Sequence, residues 1–322
     1  APMNLLVRAL LLILAGVVFF SLMGVYLTWA ADKPVDALKE RWAPPPSQFV
    51  SVQGMQVHLR DEGPRDDPAP LVLIHGTSSS LHTWEGWVAA LKSQRRVITF
   101  DLPGFGLTGP FAGQYTPDDY RGDTLARFVI DLLDHLRLQQ VVLGGNSLGG
   151  EVAWRVASLA PTRVQRLILV DASGYDFVPE NMPLGFRLAR LPVISRLSEH
   201  FLPRGLVEAS VLSVYGDPRK VNAALVERYE EITLREGNRR ALRLRMQQLE
   251  MGEHAARIPQ LKLPTLVIWG AKDQLIPPAY AERFARDIAG SRLVVFPELG
   301  HVPMEEDPVR TADLVRGFLA AR

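Results

Sequence analysis

The segment Gln140-Val141-Val142-Leu143-Gly144-Gly145-Asn146-Ser147-Leu148-Gly149-Gly150 (residues 140–150) joins a short apolar run to a helical pattern through a serine set among glycines. The run has the continuous apolar character of a strand buried on both faces, and helical spacing follows from Leu148 to about Ala160. Residues 145–149 therefore fit G-x-S-x-G in the context where that pattern carries chemistry, directly after a strand and directly before a helix. Such a turn is so tight that side chains beside the serine would collide with the neighbouring strand and helix, which accounts for glycine at 145, 149 and 150. It would project the Ser147 hydroxyl from the C-terminal edge of a sheet, near the positive end of the following helix. A glycine-rich turn with an idle serine is the plainer reading, and the rest of the chain decides against it.

Outward from this segment, strands alternate with helices. FVSVQGMQVHLRDEG (49–63) alternates apolar and polar residues about Gly54 and reads as a β-hairpin. LVLIHG (71–76) and RVITFDLPGFG (96–106) are apolar runs ending in glycine-rich turns, with a helix expected between them around 84–91. A helix at about 117–136, the strand before Ser147, the helix after it and the strand RLILVDAS (166–173) continue the pattern. From Gly174 to about Ile258 the alternation stops in favour of Arg-, Leu- and Glu-rich helical spacing broken by prolines. PTLVIWGAKD (264–273) and SRLVVFPELGH (291–301) then resume the sheet, and a last helix runs from about Pro308. The reading is an α/β class with a mostly parallel, doubly wound sheet and a helical cap inserted after the sixth strand. The expected units are an N-terminal anchor (1–31), a juxtamembrane linker (32–47), a first core part (48–174), the cap (175–258) and a second core part (259–322).

A serine hydroxyl is a weak nucleophile at neutral pH and needs a base within hydrogen-bond reach, with a third group fixing the base's tautomer. His301 fits the base, because it follows LVVFPELG in a turn and precedes Val302-Pro303. Asp273, after LVIWGAK, fits the acid at another strand's C-terminal end, and Asp171, after RLILV, is its rival. His58, His82, His135, His200 and His254 lack such a setting. The oxyanion of a tetrahedral intermediate needs two preplaced donors. These would be the backbone N–H of Leu148 and, from the loop after LVLIHG, that of Thr77, with Ser78 as the near alternative. His75 reads as structural, packing beneath the Gly76 turn.

HGTSSS (75–80), DLPGFGLT (101–108), GNSLGG (145–150), WGAKDQLIP (269–277) and ELGHVPMEEDP (298–308) together resemble the α/β-hydrolase superfamily over nearly all of residues 48–322. That resemblance implies a serine hydrolase with the chain order Ser147, Asp273, His301. The N-terminal span followed by these motifs is similar to membrane-anchored monoacylglycerol lipases and bacterial membrane-bound esterases and phospholipases A. GNSLGG also resembles the serine turn of the C–C hydrolases that cut meta-cleavage products. Ser147 argues against the superfamily's haloalkane dehalogenases and epoxide hydrolases, which carry aspartate there.

The stretch from Ala9 to Ala31 carries no charge and, at about 1.5 Å per residue as a helix, would cover a hydrocarbon core of roughly 30 Å. It is too long for the apolar region of a signal peptide and lacks the polar face of a core helix. Tyr26 and Trp29 lie near its end, where amphipathic rings favour the headgroup level. Ala1-Pro2 reads as an addition before Met3, the expected start. Flanking charges leave orientation open, and a periplasmic catalytic domain is the expectation for a bacterial chain, by analogy with short-tailed anchors. Gly16 and Gly24 would let two anchors approach in a homodimer, although they do not form GxxxG. Pro44-Pro45-Pro46 would act as a semi-rigid spacer.

A net charge of +1 excludes the dense basic surface that nucleic acid requires. The absence of cysteine excludes disulfides and thiolate chemistry, and the seven scattered histidines show no HExxH-type spacing, so neither metal nor cofactor is expected. An anchored esterase gains local concentration of lipid, which makes lysophospholipid, phospholipid or monoacylglycerol the expected substrate. The alternatives are a C–C hydrolase, a small-ester esterase and a non-catalytic binding member of the fold. Within residues 187–245, twelve Lys/Arg face seven Asp/Glu, and Arg239, Arg240, Arg243 and Arg245 could form a basic helix face or merely a solvated one. Phe177, Phe186, Leu188, Leu191, Phe201 and Leu202 would line an acyl pocket or pack the cap.

Overall fold

The computed structural model describes residues 4–177, 179–180, 182–189, 191, 194–197 and 199–321. Eight strands form one sheet: β1 (Gln48–Val52), β2 (Met55–Glu62), β3 (Leu71–Ile74), β4 (Val97–Phe100), β5 (Val141–Asn146), β6 (Val164–Val170), β7 (Thr265–Gly270) and β8 (Arg292–Phe296). Their spatial order is β1-β2-β4-β3-β5-β6-β7-β8, antiparallel at the β1–β2–β4 edge and parallel from β4 onward. The hairpin expected about Gly54 is present, with Val52 opposite Met55 and both turn residues, Gln53 and Gly54, at positive φ.

Every residue of β3, β4, β5 and β7 is buried, as the unbroken apolar runs require of strands covered on both faces. One face is packed by the helices Gly122–His135, Leu148–Leu159 and Ala279–Asp287, which contribute Phe128, Trp154 and Phe284. The other carries Glu85–Leu91 and Pro308–Ala320, with Trp87 and Phe318. Burial of each such side chain is worth about 1.5–3 kcal/mol. Between β6 and β7 the chain leaves the sheet to build the cap, whose longer helices are Arg204–Val214, Ala223–Thr233 and Asn238–Gln248.

The apolar N-terminal helix spans Leu5–Thr28, is unburied throughout, and has a mean hydropathy of 2.6 over its most apolar window. It is long and apolar enough to cross a membrane. Its end falls three residues short of the expected Ala31, because Trp29 and Ala30 leave the helix for the cap. The Trp29 ring stacks on His200 at 5.2 Å, and the Ala30 N–H donates to the His200 carbonyl at 2.9 Å.

The juxtamembrane stretch is no spacer. It contains a helix, Val35–Trp42, that buries Leu38, and it straps onto the cap. The Glu231 carboxylate accepts from Lys33 Nζ at 2.9 Å, Trp42 Nε1 at 2.7 Å and Arg41 Nη1 at 3.3 Å, while Arg41 also forks onto Glu227. The three prolines bend rather than extend: the Ser47 N–H closes a turn onto the Pro44 carbonyl at 3.0 Å. The helix Asn238–Gln248 presents no free basic face either. Arg239 and Arg245 are buried, Arg240 pairs with Asp118, and Arg243 pairs with Glu199. Counter-charges brought from other elements, invisible to a count along one helix, decide this.

Because Glu231 gathers three strap donors, Glu231→Ala is expected to cost about 1–2 kcal/mol and to open residues 33–47 to protease. Denaturant midpoints and the sites of limited proteolysis check both.

Candidate active site

Ser147 sits between β5 and the helix Leu148–Leu159 with φ +55° and ψ −118°, a backbone state that L-residues avoid. Its N–H donates to the Val170 carbonyl on β6 at 3.0 Å. The glycines around it are required by contact. A Cβ at Gly145 would lie 2.1 Å from the Gly149 carbonyl oxygen, and one at Gly149 would lie 2.0 Å from that of Ile74. A Cβ at Gly150 would lie 2.4 Å from that of Ala172.

His301 and Ser147 line one cavity at the C-terminal edge of the sheet. His301 Nδ1 pairs with Asp273 Oδ2 at 2.7 Å, and both groups are buried. The other oxygen of Asp273 accepts from the Leu275 and Ile276 N–H groups at 2.8 and 3.0 Å, which fixes the carboxylate. This geometry leaves Nε2 of His301 as the nitrogen available for chemistry.

Asp171, the rival acid, is not the partner of His301 but its close neighbour. One of its atoms lies within 4.8 Å of ligand atoms on both Asp273 and His301, and its Oδ1 accepts from the Gly270 N–H at 3.0 Å. Burial, and after it the adjacent Asp273 carboxylate, hold Asp171 well above the usual aspartate range. A proton held on Asp171 relieves the like-charge repulsion between two neighbouring carboxyls.

Two further side chains, Asn146 and Glu306, and one backbone bond hold the histidine loop, and none of them is apparent from the sequence. Asn146 Nδ2 donates to the Val170 carbonyl at 3.1 Å and to that of His301 at 2.9 Å, tying the serine turn to the histidine loop. The His301 N–H in turn donates to the Val214 carbonyl at the end of a cap helix, at 2.8 Å. Buried Glu306 accepts from Gly300 N–H at 2.6 Å, Gly216 N–H at 2.9 Å and Asp217 N–H at 3.1 Å, clamping loop and cap together. Asn146 and Glu306 both stood inside the motifs GNSLGG and ELGHVPMEEDP, where their polarity was the available signal.

Thr77 and Leu148 flank the serine turn. Among the described residues neither backbone N–H donates to a protein acceptor. Thr77 lines the cavity together with Ser147, and with Leu148 it also borders a smaller one beside it. His75 lies beneath this loop, its Nδ1 beside the Gly76 carbonyl at 2.7 Å and its Nε2 accepting from the Leu102 N–H at 3.0 Å. Burial pushes its pKa down, so the ring is neutral.

His58 has the setting that its sequence context hid. Its Nδ1 pairs with Asp101 Oδ2 at 2.7 Å and its Nε2 with Ser47 Oγ at 2.9 Å, a second Ser-His-Asp chain. Ser47 Oγ also accepts from Arg60 Nε at 2.9 Å, and Asp101 accepts from the Leu81 and Leu107 N–H groups, each at 2.7 Å. Burial would raise Asp101, but His58 and its other neighbours hold it well below the usual range. This chain joins strands and loops, and it lines none of the cavities described here.

The main cavity, of about 160 Å³, runs from Ser147 and His301 to the cap. Its wall is mostly apolar, including Phe186, Phe201, Leu202, Leu206 and Val211. Phe177 lies instead on the smaller cavity, Leu191 is exposed, and the side chain of Leu188 is outside the described residues.

A family model described as the alpha/beta hydrolase fold matches residues 69–308. The acetyltransferase component of an acetoin cleaving system from Pseudomonas putida is 31% identical over 78% of this chain, which spans 63% of that protein's length. A 2-hydroxymuconate semialdehyde hydrolase from Pseudomonas sp. is 29% identical, covering 84% of this chain and 93% of its own. Lipase 1 of Psychrobacter immobilis is 29% identical over 77% of this chain and 76% of its own. Among solved structures, a membrane phospholipase A shares the fold at a TM-score of 0.66 and 23% identity, with coverage of 97% of this chain and 96% of its own.

Folding raises the affinity of Asp171 for its proton, so this group's contribution to stability is present at low pH and lost as pH rises above the unfolded value of about 3.9. Asp171→Asn, which mimics the protonated acid, is expected to flatten that decline. Denaturant midpoints of both proteins at pH 5 and pH 8 test it: the variant should gain on the wild type at the higher pH.

Proposed function

The chain belongs to the α/β-hydrolase fold family and is a serine hydrolase, and we propose that it cleaves acyl esters of membrane lipids while tethered to the bilayer. The substrate class is lysophospholipid, phospholipid or monoacylglycerol. One observation carries this reading. Phe201 and Leu202, which wall the cavity holding Ser147 and His301, are also the residues that meet the end of the membrane-length helix. The Trp29 ring packs edge-on against Phe201 at 5.6 Å, and the Leu202 N–H donates to the Thr28 carbonyl at 3.4 Å. An apolar cavity at the foot of an apolar helix suits a substrate drawn from the headgroup level, and tethering raises the effective concentration of that substrate.

In the proposed mechanism Ser147 Oγ attacks the ester carbonyl as its proton passes to His301 Nε2. Asp273, through its 2.7 Å contact with Nδ1, keeps the ring in the required tautomer and stabilises the imidazolium. The N–H groups of Leu148 and Thr77 receive the oxyanion. Collapse of the tetrahedral intermediate breaks the C–O bond, and His301 returns the proton to the leaving alcohol. Water, deprotonated by His301, then attacks acyl-Ser147; collapse frees the fatty acid and restores the serine.

The semialdehyde hydrolase relative keeps C–C bond cleavage as the second reading, and the substrates separate the two. Incubated with a membrane lipid extract, the detergent-solubilised protein should release fatty acid, and Ser147→Ala should not. Release from p-nitrophenyl esters but from no glycerolipid, or turnover of meta-cleavage products alone, would contradict the lipid assignment. Asp273→Asn should lower kcat by about 10⁴-fold, as expected when the base is left in the wrong tautomer.

A further inference from the structure

The loop that carries Thr77 is a tight and strained turn. Ser78 takes φ +58°, a left-handed state that serine avoids, and the Ser79 N–H reaches back to the Gly76 carbonyl at 3.3 Å, longer than a strong backbone hydrogen bond. The direction of the Thr77 N–H depends on this turn keeping its shape. A side-chain contact from the cap supplies a further hold, because the Ser79 hydroxyl hydrogen-bonds the hydroxyl of Tyr229. Both residues line the cavity that holds Ser147 and His301.

The direction of that bond follows from the proton count. Tyr229 donates to Glu305 Oε1 at 3.1 Å, and the same carboxylate accepts from Arg228 Nη2 at 2.7 Å and from the Tyr215 hydroxyl. Burial, and after it the Glu305 charge, push the Tyr229 pKa up, so the phenol keeps its proton. A phenol has one proton to give. With that proton on the carboxylate, the Tyr229 oxygen accepts from Ser79. The Arg228 and Glu305 side chains are 15% and 6% exposed, so little water competes for these bonds.

Each end of this chain of bonds meets a part of the site. Ser79 follows Thr77 by two residues, and Glu305 lies in the short helix Pro303–Glu306 directly after the His301 turn. Tyr229 itself stands on the cap helix Ala223–Thr233. Glu227 and Glu231, which hold the strap, are each two residues from it and therefore on about the opposite side of the helix. The helix is gripped from outside while Tyr229 reaches inward.

We propose that Tyr229 is a positioning residue of the hydrolysis: by accepting from Ser79 and donating to Glu305, it holds the oxyanion loop against the His301 loop and keeps the Thr77 N–H aimed at the oxyanion. This rests on the acyl-serine mechanism above and adds a cap residue to it.

The test uses the full detergent-solubilised chain with p-nitrophenyl butyrate as substrate. Two inhibitors accompany it: hexyl trifluoromethyl ketone, whose adduct with Ser147 carries the oxyanion, and butyrate, which does not form one. Tyr229→Phe should lower kcat about tenfold with little change in KM, less than the roughly 10²–10³-fold loss expected when an oxyanion donor is removed outright. Affinity for the trifluoromethyl ketone should fall by a similar factor, and affinity for butyrate should hold. Ser79→Ala, which leaves the Glu305 cluster whole, should reproduce both losses, and Ser79→Thr should restore part of them. The double variant should lose no more than either single change, since both cut one chain of bonds. Unchanged kcat and unchanged ketone affinity in Ser79→Ala would overturn the proposal. So would a loss confined to KM and butyrate affinity, since the two hydroxyls would then bind substrate rather than shape the oxyanion loop. A wild type that the ketone does not inhibit would instead remove the acyl-serine mechanism itself, a different result from inhibition that the variants leave untouched.

Discussion

Ser147 is kept at φ +55° by a turn that can close only while its neighbours have no side chains. The strain of such a residue is of order 1–3 kcal/mol, and the packed sheet outweighs it. Backbone oxygens of Ile74 and Gly149 stand where methyl groups at residues 149 and 145 would go, so the helix Leu148–Leu159 begins hard against β3 and β5. Relaxing the serine would mean moving that helix off the sheet. The first N–H groups of the helix have no carbonyl before them to bond, and Ser147 stands at this positive end.

The histidine loop is fixed from two directions. Asn146 reaches it from the serine turn, while Val214 and Glu306 bind it to the cap. Core and cap are thereby joined through the His301 loop. The cap also takes the strap, with Lys33, Arg41 and Trp42 on Glu231 and the Ala30 carbonyl on Arg239. A continuous set of hydrogen bonds thus runs from the foot of the apolar helix to the wall of the cavity lined by Ser147 and His301.

What could be read along the chain was what depends on neighbours in sequence. The serine turn needs glycines within a few residues, buried strands need apolar runs, and a membrane-length helix needs an uninterrupted apolar stretch, so these features were legible. Position alone did not separate Asp273 from Asp171, since both follow a strand's end; the 2.7 Å contact of Asp273 with His301 does. What could not be read depends on partners far apart in sequence. Arg239 and Arg245 looked like half of a basic stripe, but Asp32 and Glu151 turn them inward. The stretch 32–47 looked like a spacer until Glu231, nearly two hundred residues away, supplied its counter-charge. His58 looked idle because Asp101 and Ser47 meet it only once β1, β2 and β4 pair.

Nucleophilic chemistry is proposed at one serine, the described residues hold two Ser-His-Asp arrangements, and a covalent label distinguishes them. After reaction with a fluorophosphonate and proteolysis, mass spectrometry should find the adduct on the peptide containing Ser147, with none in Ser147→Ala. An adduct at Ser47, or equal labelling of Ser147→Ala, would contradict it.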